Sequence, residues 1–195
     1  MSRPGSRDQP VDTDRRGSIL AAARRAVGKR GFAQTTMRDV AREAGIAQAL
    51  IHYYFAGKDA LFLAVVRVML EEQLARLRRE IAGATGPARA LAGLAMARDR
   101  ALGDTRAWRL FFEVLAARSR EGTGRELASA FAERHAAVAE EIARLDPKED
   151  ARTLALLVDA LMLGLAAERL AGTKDADVEA AYDSFVALLR GRMGA

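Results

Sequence analysis

Residues 35–58, Thr-Thr-Met-Arg-Asp-Val-Ala-Arg-Glu-Ala-Gly-Ile-Ala-Gln-Ala-Leu-Ile-His-Tyr-Tyr-Phe-Ala-Gly-Lys, read as two short helices joined by a tight turn, the pattern of a helix-turn-helix. Thr36 opens the first helix: its hydroxyl accepts from the orphan N–H groups of the first turn, and Asp39, three residues on, reaches back. Val40, Ala41 and Ala44 give that helix an apolar face. Gly45 closes it, where a positive φ is cheapest for a residue without a side chain, and Ile46 plugs the turn. In the second helix a period of 3.6 sets Gln48, Ala49, His52 and Tyr53 on one side and Ile51, Tyr54 and Phe55 on the other. One face packs and the other is free. Such a unit offers the free face to a DNA major groove while its first helix crosses the phosphate backbone.

Upstream, Asp14 is placed to cap a helix over residues 15–30, with Ile19, Ala22, Ala23, Ala26 and Val27 along one stripe. Gly31 ends it. Arg15 and Arg16 read either as phosphate contacts or as a solvated helix start. Downstream, a helix over residues 59–81 carries Leu61, Phe62, Val65, Val66, Met69, Leu70, Leu74 and Leu77 on its apolar side. A continuous helix of that length transmits displacement, so it is the natural lever between the reading unit and the remainder of the chain. Five more helices are expected at about 87–102, 105–119, 124–144, 147–170 and 176–191, punctuated by Gly103, Gly122, Gly124, Pro147 and Gly172. No stretch alternates with β-branched residues, and no internal repeat is visible.

The expected fold is therefore all-α: a three-helix DNA-binding head at residues 14–58, joined by a long helix to a helical regulatory and dimerisation bundle at residues 59–195. Residues 1–13, polar and carrying Pro4 and Pro10, read as a disordered arm, with no apolar segment of the kind a signal peptide needs. The chain has 195 residues, half of them hydrophobic, enough for a proper core. It has no cysteine, so disulfides and thiolate metal sites are out, in keeping with a cytoplasmic location. The most apolar run, residues 154–167, is interrupted by Asp159 and falls short of the roughly 20 residues that span a bilayer. Charge is unevenly placed. Residues 1–60 hold 11 Lys and Arg against 6 Asp and Glu, and the rest of the chain balances at 20 of each, so the whole excess of +5 lies with the helix-turn-helix.

The unit resembles the DNA-binding domain of the tetracycline-repressor (TetR) family of bacterial transcription regulators. The resemblance covers roughly residues 14–65 and is carried by a linked set: Gly31-Phe32, Thr35-Thr36, the run from Asp39 to Ile46, the cluster from His52 to Phe55, and Lys58 ahead of Asp59-Ala60-Leu61-Phe62. Two positions depart from it. Ala47 stands where the family usually has a capping serine, and Leu50 where it has a small polar residue. The resemblance implies a homodimer on a near-palindromic double-stranded operator, most simply a repressor released when a small molecule enters the bundle and shifts the long helix. It also implies dimerisation through the last two helices of each subunit.

Gln48 is the base-reading candidate, because its amide can pair with adenine N6 and N7; the alternative is an ordinary exposed glutamine. Ala49 either approaches a thymine methyl or permits close packing. His52 and Tyr53 sit on the reading face, Tyr53 matching a family position that contacts phosphate. Thr36 and Lys58 stand at two helix N-termini and are expected to fix register on the backbone. In the bundle, Met96, Trp108, Phe112, Phe131 and Met162 either line an apolar ligand pocket or form core, and Arg98, His135 and Asp159 are the polar groups expected to meet a ligand. The expected dimer residues are Leu161, Leu165, Tyr182, Phe185 and Leu189; the helix holding Leu154, Leu156, Leu157, Val158 and Leu163 is apolar around nearly its whole circumference. No catalytic constellation, metal spacing or cofactor motif is found. Two other readings stay open: a DNA-bound architectural or occlusion factor whose bundle binds a protein, and a helical bundle with vestigial DNA binding.

Overall fold

The computed structural model describes residues 9–118, 124–145 and 150–192. Among them the chain forms nine helices and no strand: α1 Gln9–Arg30, α2 Met37–Ala44, α3 Gln48–Tyr54, α4 Lys58–Ile81, α5 Gly86–Leu102, α6 Thr105–Arg118, α7 Gly124–Leu145, α8 Ala151–Ala171 and α9 Asp175–Arg192. The expected all-α architecture is present. No single described helix is long and apolar enough to cross a membrane.

The start of α1 differs from expectation. The helix begins at Gln9, so Asp14 lies inside it and residues 9–13 continue the helix instead of belonging to an arm. Residues 1–8 of that arm lie outside the described residues. Pro147 likewise lies outside them; α8 starts at Ala151, capped by the Asp150 carboxylate accepting from the Thr153 N–H.

The local chemistry of α2 follows the sequence. Thr36 Oγ1 accepts from the Asp39 N–H at 3.1 Å, and the Thr36 N–H donates to Asp39 Oδ2 at 3.0 Å, which completes a capping box. Those hydrogen bonds from Thr36, then the charges of Arg30 and Arg42, hold the Asp39 carboxyl below the usual range. A carboxyl so lowered stabilises the folded state above its unfolded value, and that contribution is lost as pH falls through the lowered one. At the other end Gly45 has φ of 67° and ψ of 33°, and the Ile46 N–H bonds back to the Ala41 carbonyl. Salt bridges tie α1 to α2 across the surface, with Arg25 and Lys29 both reaching Glu43, at 2.9 and 2.6 Å.

Packing joins what the sequence divides. Ile19, Ala23, Val27, Val40, Ile51 and Phe55 of the head lie in one continuous core with Leu61, Phe62 and Val66 of α4 and with Trp108, Phe111 and Val114 of α6. A second cluster, Ala101, Met162, Leu165, Val178 and Tyr182, holds α5, α8 and α9 together. The boundary at residue 58 is a change of role along the chain, not a gap in the core.

The left-handed turn gives a direct check. Replacing Gly45 by alanine forces a Cβ into positive φ, so G45A is expected to lower stability by about 1 kcal/mol, read as a reduced urea midpoint with an unchanged slope.

Candidate nucleic-acid interface and bundle cavity

The reading helix α3 carries Gln48, Ala49, His52 and Tyr53 exposed on one side and Ile51 and Phe55 buried on the other. Tyr53 is 80% exposed, an unusual state for an aromatic residue without a partner to cover it. Gln48 Nε2 lies 3.2 Å from His52 Nε2, one helical turn apart, so the two side chains share the same patch. Leu50 is half-buried, and Ala47 makes no capping bond, as its side chain dictates. Thr36 is exposed at the start of α2.

Lys58, expected at the phosphate backbone, is held within the chain here. Its ammonium donates to the Phe32 and Ala33 carbonyls, at 2.6 and 3.2 Å, and sits 4.4 Å over the Phe32 ring. Burial pulls its pKa below the ordinary lysine value, against the opposing charges of Asp59 and Glu113. A cation so placed closes the turn after α1. The same turn is held from the bundle side, where Glu113 of α6 accepts from the Phe32 N–H at 2.9 Å. The Phe32 ring also packs edge-on against Phe62, at 5.2 Å between centroids. Arg38, not singled out from the sequence, is exposed on the first turn of α2, two residues after the Thr36 cap, and pairs with no carboxylate among the described residues. Arg16 rests over the Phe55 ring at 5.1 Å.

In the bundle a cavity of about 190 Å³ lies among α4, α5, α7, α8 and α9. Of the predicted ligand residues, Met96, Asp159 and Met162 line it. The others do not. Arg98 turns toward α9 and pairs with Glu179 and Asp183. Trp108 and Phe131 both contact Phe111, and Phe112 stacks near Trp108, as core between α6 and α7. His135 approaches Asp159 Oδ2 at 2.9 Å from behind the wall.

Beside the expected Asp159, the polar lining is mostly basic: Arg89, Arg100 and Arg134, with Glu141 as the other carboxylate. Arg89 pairs with Glu141, which Arg144 also reaches at 2.6 Å, and Arg134 pairs with the buried Asp159. Arg100 pairs with no carboxylate among the described residues. Its guanidinium lies 4.7 Å over the Trp108 ring, and its Nε is buried without a hydrogen-bond partner. Burial, and then the like charge of Arg134, pull its pKa down to about 9. Arg89 and Arg100 lie about three turns apart on the same face of α5, with Gly93 and Met96 between them, while Arg134 comes from α7, so only the packing of the two helices brings the three together.

The predicted dimer residues also redistribute. Leu165 and Tyr182 are buried within the chain, the Tyr182 hydroxyl donating to the Leu94 carbonyl, and Leu189 lines the cavity. Leu161 and Phe185 are half-buried. The exposed apolar side chains are instead Leu156 and Leu157 on α8 and Leu188 on α9, at 55%, 56% and 72%. An apolar circumference said that α8 has two buried sides, but periodicity does not say which side its own bundle takes.

The geometry has known relatives. Residues 19–65 match the tetR family of bacterial regulatory proteins. The transcriptional regulator BetI of Agrobacterium fabrum is 35% identical over 158 residues, covering 77% of this chain and 74% of that protein. The chain belongs to the TetR family. BetI of Brucella suis is 40% identical over 80 residues, so the match spans 40% of that protein's length. Among solved structures, a transcriptional regulator from Pseudomonas aeruginosa PAO1 superposes with a TM-score of 0.70 at 23% identity, covering 95% of this chain and 93% of that one. A regulator from Saccharomonospora viridis in complex with choline superposes with a TM-score of 0.71 at 21% identity, covering 89% and 96%. The relatives so named are transcription regulators, and the family model is that of bacterial regulatory proteins.

The Lys58 contact makes a separable prediction. Lys58→Ala is expected to lower the thermal midpoint, because two carbonyls lose their donor, and to weaken binding to all DNA sequences equally. The dependence of log K on log salt is expected to keep its slope, since no phosphate contact is removed.

Proposed function

We propose that this TetR-family regulator binds a near-palindromic operator as a homodimer and leaves it when a small molecule fills the bundle cavity, most simply as a repressor. The observation that carries the reading is the exposed set Gln48, Ala49, His52 and Tyr53 on a helix whose opposite face is locked into the core. Such a face is left over by folding and fits a major groove. Gln48 then reads base edges, Tyr53 and Thr36 meet phosphates, and Arg38 takes the electrostatic role expected of Lys58.

Selection of binding sites from random duplex DNA at low and near-physiological salt tests this. An inverted repeat that persists at the higher salt is expected. Gln48→Ala is expected to relax preference at particular base pairs, and Arg38→Ala to lower the salt slope by about one with the preference intact. Binding that disappears with salt and enriches no sequence would sink the proposal.

The exposed leucines of α8 and α9 support a second copy of the chain as the cover. An apolar strip formed by Leu156, Leu157 and Leu188 is poorly hydrated in a lone subunit, and small residues around it, Ala160, Gly164 and Ala167, permit close approach. Leu157→Glu is expected to give a monomer in sedimentation velocity at micromolar concentration, with operator affinity reduced because half-sites no longer bind together.

For release, the cavity touches Leu77 and Ile81 at the far end of α4, whose first residues hold the head through Lys58. Arg100 at the cavity stacks on Trp108 of α6, and Glu113 of the same helix holds Phe32. A ligand that shifts α4 or α6 changes the orientation of the head, provided it binds the free form better than the DNA-bound one. The choline held by the Saccharomonospora viridis protein shows a small molecule on a chain of this fold. Three arginines and two carboxylates line the cavity here.

A further inference from the structure

We infer that the bundle cavity is selective for small anions and takes an apolar monocarboxylate whose carboxylate meets Arg100. This rests on the effector reading above and names the chemical class of that effector.

Every other charged group at the cavity is already answered. Arg89 has Glu141, Arg134 has Asp159, and Arg144 and His135 stand behind the two carboxylates. Arg100 alone makes no salt bridge among the described residues; Asp159 acts on it only at longer range, and its Nε–H is buried with nothing to donate to. A largely buried guanidinium without a direct ion pair is held at a cost that an incoming carboxylate removes. The guanidinium fork donates its Nη–H groups to the oxygens of a carboxylate. The Trp108 ring beneath the guanidinium fixes its plane, so the fork is oriented before the ligand arrives.

The remaining wall sets the body of the ligand. Leu77, Ile81, Met96, Val138, Val158 and Met162 leave no hydrogen-bonding surface there. A cavity of about 150 Å³ holds a benzene ring, so 190 Å³ accepts a ring or a short chain together with its carboxylate. Asp159 adds a second feature. It is 3% exposed, lines the cavity, and its Oδ1 has no hydrogen-bond partner. A hydroxyl on the ring of the ligand donates to that oxygen, so hydroxylated acids bind more tightly than plain ones. A quaternary ammonium ion would place a second unanswered cation beside Arg100 and is excluded on charge.

The test is calorimetric titration of the full chain, without DNA, by benzoate, 3-hydroxybenzoate and choline. Saturable binding of benzoate, tighter binding of 3-hydroxybenzoate and no heat from choline are expected. Arg100→Met keeps an apolar side chain over Trp108 and is expected to weaken benzoate binding at least tenfold. Its ligand-free thermal midpoint is expected to equal or exceed that of the parent, since the unpaired charge is gone. Arg100→Lys, which keeps the charge and loses the fork, is expected to bind with intermediate affinity and serves if the methionine variant does not fold. Absence of binding by both acids, benzoate binding that is indifferent to both substitutions, or preference for choline would each overturn the inference. No DNA is present, so such a failure is separate from the operator selection, which alone decides whether the chain reads a sequence.

Discussion

The fold turns on Phe32. Its ring is wedged against Phe62 and covered by the Lys58 ammonium, its carbonyl accepts from that ammonium, and its N–H is taken by Glu113 from the bundle. One residue in the turn after α1 is thereby fixed by the lever helix α4 and by α6 at once. Edge-on ring contacts and a cation over a ring face each contribute on the order of 1 kcal/mol, but their geometric effect is larger than their energy suggests. They define the angle at which the reading head leaves the bundle. Because the head shares its core with α4 and α6, it cannot tilt without disturbing that packing, and a packed core moves between discrete arrangements more readily than it bends.

The same continuity makes a distant cavity relevant to DNA. The cavity is lined by Leu77 and Ile81 at the far end of α4, the helix whose first part lies in the core shared with the head, and by Met162 of the smaller cluster that holds α5, α8 and α9. A ligand there completes packing that the chain leaves unfinished, and Arg100 gives the unfinished site a sign. Charge is treated differently in the two halves. On the head, cations are mostly exposed and paired on the surface, where pairing is worth little and is easily exchanged for phosphate. Around the cavity Arg89, Arg100 and Arg134 are largely withdrawn from water, where each charge must be answered or costs stability.

Local features were legible wherever a single residue decides its own neighbourhood. The Thr36–Asp39 box, the left-handed Gly45 and the division of α3 into a buried and a free face all depend on contacts within a few residues. The uneven charge of the first 60 residues was equally a property of the chain. What the sequence left undecided has one cause. Lys58 has the same chemistry and helix position whether it points at phosphate or folds back onto Phe32, and only the packed turn shows the second arrangement. Asp14 carries the chemistry of a cap, yet the helix had already begun at Gln9.

By itself, then, the sequence determined the helical class, the head and its reading face, because helix periodicity, capping and turn chemistry act over a few residues. Only the tertiary structure decided which apolar side of α8 meets its own bundle, which leaves Leu156, Leu157 and Leu188 exposed while Leu165 and Tyr182 are buried. It also decided that Arg100, and not Arg98 two residues earlier, faces the cavity. A step of two residues in a helix turns a side chain through most of half a circle, and where each then points depends on helices far away in the chain.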